Sequence, residues 1–293
     1  MMSADYAIAQ SNRLGNREIN QDRCAVSESD GAVLLVLADG MGGVPGGEVA
    51  AQILINTVVN LFDKVPKPIA SPTTFLDHTL NAAHQNILRS TESDNEDRIP
   101  GTTCVACIIQ QGRAWWAHIG DSRLYIFRNS ELIFRTQDHS FVEELRQRGE
   151  ISAEEMITHP ARNYLTRSLG GTRTTPEIVY AGNFGLHKHD TLLLCSDGLW
   201  SPLEDLDMET QLLSDDLEAV VDNLAAEAET RSYPNSDNIS VLVLRWLIES
   251  DAAISSNPDE TSPQEPSVLG DIHAAIDEVE KAIERYENEI DSR

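Results

Sequence analysis

Hydrophobic positions along this chain follow two different periods. Val33-Leu34-Leu35-Val36-Leu37-Ala38 is an unbroken apolar run, which predicts a strand buried on both faces. Thr191 to Cys195 and Ile239 to Leu247 read the same way, and weaker alternation over 5–11 and 23–28 predicts strands around a polar connector, Arg17 to Asp22. A helical stripe follows the first run: Val49, Ile53, Val58, Leu61 and Phe62, with Pro45 suited to the first turn. Ser71-Pro72 opens a second helix through Phe75, Leu76, Leu80, Ala83, Ile87 and Leu88, and the polar run Ser90 to Arg98 reads as a loop. Segments 102–110, 113–119 and 123–128, joined at Gln111-Gly112 and Gly120-Asp121, predict an antiparallel meander. Capping boxes at Ser140/Glu143 and Ser152/Glu155 open two short helices. Residues 158–185 show little periodicity and read as a long functional loop, before helices at 204–213 and 216–231. Strands come in runs rather than alternating with helices. The expected class is therefore α+β, with antiparallel sheets and helices packed outside.

Composition narrows the partners. The formal net charge of −26 over 293 residues argues against nucleic acid or an anionic membrane and suits divalent cations. No stretch approaches the roughly 20 apolar residues of a membrane span. The start, Met1 to Tyr6, lacks a basic segment followed by an apolar run, and the expected compartment is the cytoplasm. All four cysteines, Cys24, Cys104, Cys107 and Cys195, sit in apolar strand-like contexts; Cys104 and Cys107 have zinc-knuckle spacing without a second pair, and three apart in a strand they face opposite ways, which predicts buried thiols.

The first apolar run ends in Asp39-Gly40-Met41-Gly42-Gly43. A carboxylate at the tip of a buried strand is costly unless a cation or donor compensates it, though a turn whose Asp39 caps the next helix looks similar. A phosphate loop is excluded for want of Gly-Lys-Ser/Thr, and a dinucleotide fingerprint fails at Pro45. Asp22, Asp39, Asp121, Asp197 and Asp237 all sit where an apolar run begins or ends, beside Gly, Asn or Ser. Singly, each is an ordinary turn residue. Together they predict an all-oxygen site for Mg²⁺ or Mn²⁺ rather than zinc.

Seven motifs in order carry a resemblance: Arg17 to Asp22, Leu37 to Gly43, Gly101-Thr102-Thr103, His118 to Arg123, Asn163 to Gly170, Cys195 to Leu199 and Asp237 to Ser240. On these the chain resembles the bacterial form of the metal-dependent PP2C (PPM) serine/threonine phosphatases over residues 5–247. The resemblance implies two antiparallel sheets packed as a sandwich flanked by helix pairs. It also implies hydrolysis of phosphoserine or phosphothreonine by water activated at two metal ions, with a third ion in bacterial members. Asp39 then corresponds to the bridging ligand, with Gly40 lending its carbonyl. Asp197 and Asp237 hold the second ion, Asp22 acts through coordinated water, and Asp121 shares the third ion with Asp197. Arg17 corresponds to the arginine that grips the substrate phosphate, and residues 146–175 to a flap beside the cleft. Eukaryotic members carry a histidine, proposed as general acid, where this chain has Met41, which cannot donate a proton; His118 and His139 are then candidate donors, against their ordinary reading as core residues. The implied partners are phosphorylated proteins and a cognate Ser/Thr kinase, with a monomeric catalytic domain. The rival functions are a partner-switching phosphatase acting on an anti-sigma-factor antagonist and a phosphoprotein-binding pseudophosphatase.

Beyond the phosphatase domain, 1–248, the composition shifts. Residues 249–293 hold thirteen acidic and three basic side chains, net −10. Residues 249–267 read as an acidic Pro/Ser-rich linker. Leu269, Ile272, Ile276, Val279, Ile283, Tyr286 and Ile290 then predict an amphipathic helix over 268–291, which either docks on its own domain or engages a partner.

Overall fold

The computed structural model describes residues 5–41, 46–90 and 99–249. Strands β1 (Tyr6–Arg13) and β2 (Asp22–Ser29) flank the polar connector, and β3 (Ala32–Met41) is the first apolar run. Helices α1 (Gly47–Lys64) and α2 (Pro72–Arg89) follow, with Pro72 in the first turn of α2. Next come β4 (Gly101–Thr102), β5 (Cys104–Gln110), β6 (Arg113–Ile119), β7 (Arg123–Arg128) and β8 (Glu131–Arg135). The segment after them holds α3 (Phe141–Gln147), α4 (Ala153–Thr158), β9 (Leu169–Gly170) and β10 (Val179–Gly185). The chain then runs through β11 (Thr191–Cys195), α5 (Asp197–Trp200), α6 (Asp205–Gln211), α7 (Leu217–Ser232) and β12 (Ile239–Trp246). Pro45, Gly42, Gly43, residues 91–98 of the expected loop, and the linker and helix read beyond residue 249 lie outside the described residues.

Two antiparallel sheets result. One has the order β1-β12-β11-β7-β8; the other runs β10-β6-β5-β3-β4-β9, with β2 also on β3. Alternation along β3 explains its continuous apolar sequence. Val33, Leu35 and Leu37 point into the layer between the sheets, against Leu124, Ile126, Leu192, Leu194, Leu242 and Leu244. Leu34, Val36 and Ala38 point outward under α1 and α2, against Leu54, Val58, Phe62, Leu76, Leu80 and Ile87. The other sheet is covered on its outer face by α5, α6 and α7 through Leu199, Met208, Val220, Val221 and Leu224. A strand sandwiched this way has no solvent face on which to place a polar residue. Cys104 and Cys107 are buried on opposite faces of β5, and desolvation pushes both thiols far up.

Three local expectations need correction. The meander breaks at Gly120-Asp121, because β6 pairs with β5 and β10 in one sheet while β7 pairs with β11 and β8 in the other. A short connection there marks a crossing between layers, not a hairpin. The long loop also contains a strand: β10 pairs with β6 through a bulge between Gly182 and Phe184. At α3, Ser140 accepts from Glu143 N–H, but the Glu143 carboxylate is taken by Gln137 and Arg146, so only half of that box forms. The Ser152/Glu155 box is complete. Among the described residues no helix is long and apolar enough to cross a membrane.

Candidate metal centre

Antiparallel registration brings the five aspartates to one end of the sandwich. Asp22 opens β2 directly opposite Asp39 near the end of β3. Asp121 lies at the crossing between sheets. Asp197 follows β11 as the first residue of α5, and Asp237 precedes β12, the neighbour of β11.

Short polar contacts hold Asp22, Asp39 and Asp237. Asp22 is buried; its Oδ2 accepts from Ser196 Oγ at 2.7 Å, while its Oδ1 has no partner among the described residues. Ser196 Oγ in turn accepts from Ser240 N–H at 3.0 Å. Asp39 donates its N–H to Thr103 Oγ1 at 2.9 Å, and Thr103 Oγ1 meets Ser122 Oγ at 2.7 Å. At Gly40 a Cβ would lie 2.1 Å from the carbonyl oxygen of Gly47, so only glycine fits there. Gly120 has φ +97, and a Cβ there would meet the Thr103 side chain at 2.6 Å. His139 donates its N–H to Gly120 O at 2.9 Å and accepts from Gly120 N–H at Nδ1 at 3.2 Å. Asp237 Oδ1 accepts from Asn238 N–H at 2.8 Å, and its Oδ2 accepts from Arg17 Nη2 at 2.6 Å.

The electrostatics fit cation binding. Burial, and then the charges of Asp22, Asp197, Asp121 and Asp237, hold the Asp39 carboxyl well above the usual carboxylate range. Asp197 is raised likewise, by burial and then by Asp121, Asp237 and Asp22. Burial pushes Asp22 up to about 6 against the hydrogen bonds of Ser196 and Ser240. Asp121 rises to about 7 through burial and Asp138, offset by Arg123. Among the described residues no three His, Cys, Asp or Glu side chains are already gathered round one point as ligands. Mutual repulsion of like charges opposes such a gathering. The donor chemistry, five carboxylates and a buried Oδ1 without a donor, fits a hard divalent cation.

The connector brings Arg17 to this end, with its side chain 57% exposed. Met41 is half-buried where β3 pairs with β4 at Gly40 and Met41, and β4 pairs with β9. The segment just before β9 is tied back by Phe141 N–H to Tyr164 O and Thr166 N–H to His139 O. His118 and His139 stack with centroids 4.8 Å apart. Burial lowers both, His139 to about 3, so neither imidazole carries an extra proton near neutral pH. The supporting roles of Ser196, Thr103 and Ser122 were missed in the sequence; all three lie inside the motifs quoted, but spacing does not say which aspartate a hydroxyl serves.

Comparisons with known proteins bear on the family and the fold. The profile of the family described as protein phosphatase 2C matches residues 9–239. The serine/threonine phosphatase stp of Listeria monocytogenes is 34% identical over 232 residues, covering 78% of this chain and 90% of that protein. The S. agalactiae serine/threonine phosphatase structure aligns with a TM-score of 0.75 at 29% identity, over 82% of this chain and 98% of that one. The catalytic domain of the phosphatase PstP, solved in complex with two manganese ions, aligns with a TM-score of 0.70 at 31% identity, over 83% and 99%. With fold, matched span and relatives in agreement, the chain belongs to the protein phosphatase 2C family.

Proposed function

We propose that this chain is a metal-dependent protein serine/threonine phosphatase whose centre is the aspartate cluster at the end of the sandwich. The observation that carries this is the set of buried carboxylates with raised proton affinity, one of whose oxygens, Asp22 Oδ1, has no donor among the described residues. The two manganese ions of PstP support the same reading. Asp39, the Gly40 carbonyl, Asp197 and Asp237 would hold two Mn²⁺ or Mg²⁺ ions, Asp22 through water, and Asp121 with Asp197 a third. Ions in such a site polarise a phosphoryl oxygen and lower the pKa of water, giving direct hydrolysis without a phosphoenzyme.

The chain's own groups do the rest. Thr103, Ser122 and Ser196 fix the carboxylates' backbones and rotamers. Arg17 binds the phosphate through its guanidinium fork, and to do so it gives up its contact with Asp237. Met41 has no proton to give, and the neutral His118 and His139, engaged with Gln137 and Gly120, are unsuited to proton donation. Catalysis resides in residues 1–248, opposing a Ser/Thr kinase, and the 268–291 segment either recruits a basic partner or rests weakly on the catalytic domain.

The test is hydrolysis of p-nitrophenyl phosphate and a phosphothreonine peptide with Mn²⁺, with Mg²⁺ and with chelator. Turnover should require metal, and Asp39→Asn and Asp197→Asn should abolish it. Activity in chelator, or either variant within about tenfold of native at saturating Mn²⁺, would sink the assignment.

A further inference from the structure

Helix α5 is a single turn that carries Asp197 at one end and Trp200 at the other. Residues three apart in a helix share a side, and here the indole reaches out of the turn. Its Nε1–H donates to the Asp121 carbonyl at 2.9 Å. The ring is backed by Arg123, whose guanidinium carbon lies 3.5 Å from the ring centroid. Arg123 is itself fixed. It makes two bonds to Asp138, at 2.8 and 2.7 Å, and a third to Tyr125 Oη at 3.0 Å, with the pair almost fully buried. A planar cation pinned at three points cannot slide, so the indole it covers cannot tilt away from Asp121.

We propose that Trp200 is a positioning residue that, beyond the end of the β7–β11 ladder, fixes the Asp121 turn against the helix bearing Asp197. The two carboxylates come from distant parts of the chain, and the indole is a rigid strut between the turn that bears one and the helix that bears the other. The β7–β11 ladder, with Arg123 opposite Cys195, carries the two strand ends to the site and stops two residues short of each aspartate. His139 grips Gly120 and Ser122 binds Thr103, neither of them on α5. Trp200 adds a side-chain bond from the element carrying Asp197 to the Asp121 carbonyl itself. The ion it governs is the one Asp121 and Asp197 would share, so the inference rests on the metal reading proposed above.

The experiment measures Mn²⁺ binding to the full chain by the electron paramagnetic resonance signal of free aqueous Mn²⁺. Native protein, Trp200→Phe and Asp121→Asn are compared. The native titration tests the metal reading by itself: no bound Mn²⁺ there defeats that reading, and the Trp200 inference with it. Given native binding, Asp121→Asn should remove one class of sites. Trp200→Phe keeps an aryl ring beside Arg123 but deletes the N–H together with part of the indole, so it should weaken that same class about tenfold, the loss of one hydrogen bond to a buried acceptor. The other class and the melting temperature in chelator should not move. A Phe variant that binds Mn²⁺ as native does overturns the inference, as does one that weakens every class together with lowered melting. Should the variant fail to fold, global replacement of tryptophan by isosteric benzothienylalanine removes the N–H without changing shape. Trp116 and Trp246 have no N–H partner to lose among the described residues. Unaltered Mn²⁺ binding in that protein likewise overturns the proposal.

Discussion

Protons and cations compete for the same carboxylates, so Mn²⁺ affinity should fall steeply on acidification. The competition can be sized from two groups. Asp121 titrates at about 7 and Asp22 at about 6 in the folded protein. Lowering the pH from 7.5 to 5.5 raises the protonation penalty about 25-fold at the first and about fourfold at the second, together about a hundredfold, or about 2.7 kcal/mol. Asp39 and Asp197 are raised further and add in the same direction. Isothermal calorimetry in chelator-stripped buffers across this range measures the effect, and proton release follows from repeating it in buffers of different ionisation enthalpy. Asp121→Asn should remove about 25-fold of the pH dependence. A dissociation constant that changes less than about threefold between pH 5.5 and 7.5 refutes the reasoning. Melting of the metal-free protein is the wrong assay. A carboxyl raised in the fold contributes stability at low pH that is lost as pH rises through its folded value. The buried His84, His118 and His139, all lowered, contribute stability at high pH that is lost as pH falls below 6.5. The two sets oppose each other in melting, whereas the histidine contacts are common to the metal-free and metal-bound protein.

Two further outcomes are expected. Arg17→Ala should lower kcat/KM for small phosphoesters about tenfold to a hundredfold by removing a charge-assisted contact. It should change stability by less than about 1 kcal/mol, because its pair with Asp237 is exposed; Mn²⁺ binding lost in calorimetry would make Arg17 structural instead. Deleting 249–293 should leave p-nitrophenyl phosphate hydrolysis within about twofold and leave a monomer by sedimentation; loss of folding or activity would place the tail within the domain.

How much of this could be read from the sequence depended on whether the cause was local. The buried strands were legible because β3, β11 and β12 are covered on both faces and so are apolar throughout. The aspartates were legible because each ends or begins such a run. β8 was missed because it is a five-residue edge strand, and β10 because its Gly182 and Asn183 accommodate a bulge against β6, a partner some sixty residues earlier. The crossing at Gly120-Asp121 was misread because a two-residue connection looks alike whether the next strand turns back or changes layer. The Arg17–Asp237 pair joins residues 220 positions apart, which no spacing rule reaches.

The neighbour of β1 is β12, the last strand among the described residues, which pairs with it residue by residue from Tyr6↔Trp246 to Arg13↔Ile239. During synthesis the first strand therefore waits, its sheet unformed, until more than two hundred further residues have been made. Four of the five carboxylates exist well before then, yet the array stays open. Such long-range closure comes late in assembly. A chain released before β12 is made therefore cannot close this sheet or complete the aspartate array, whereas one released after it can.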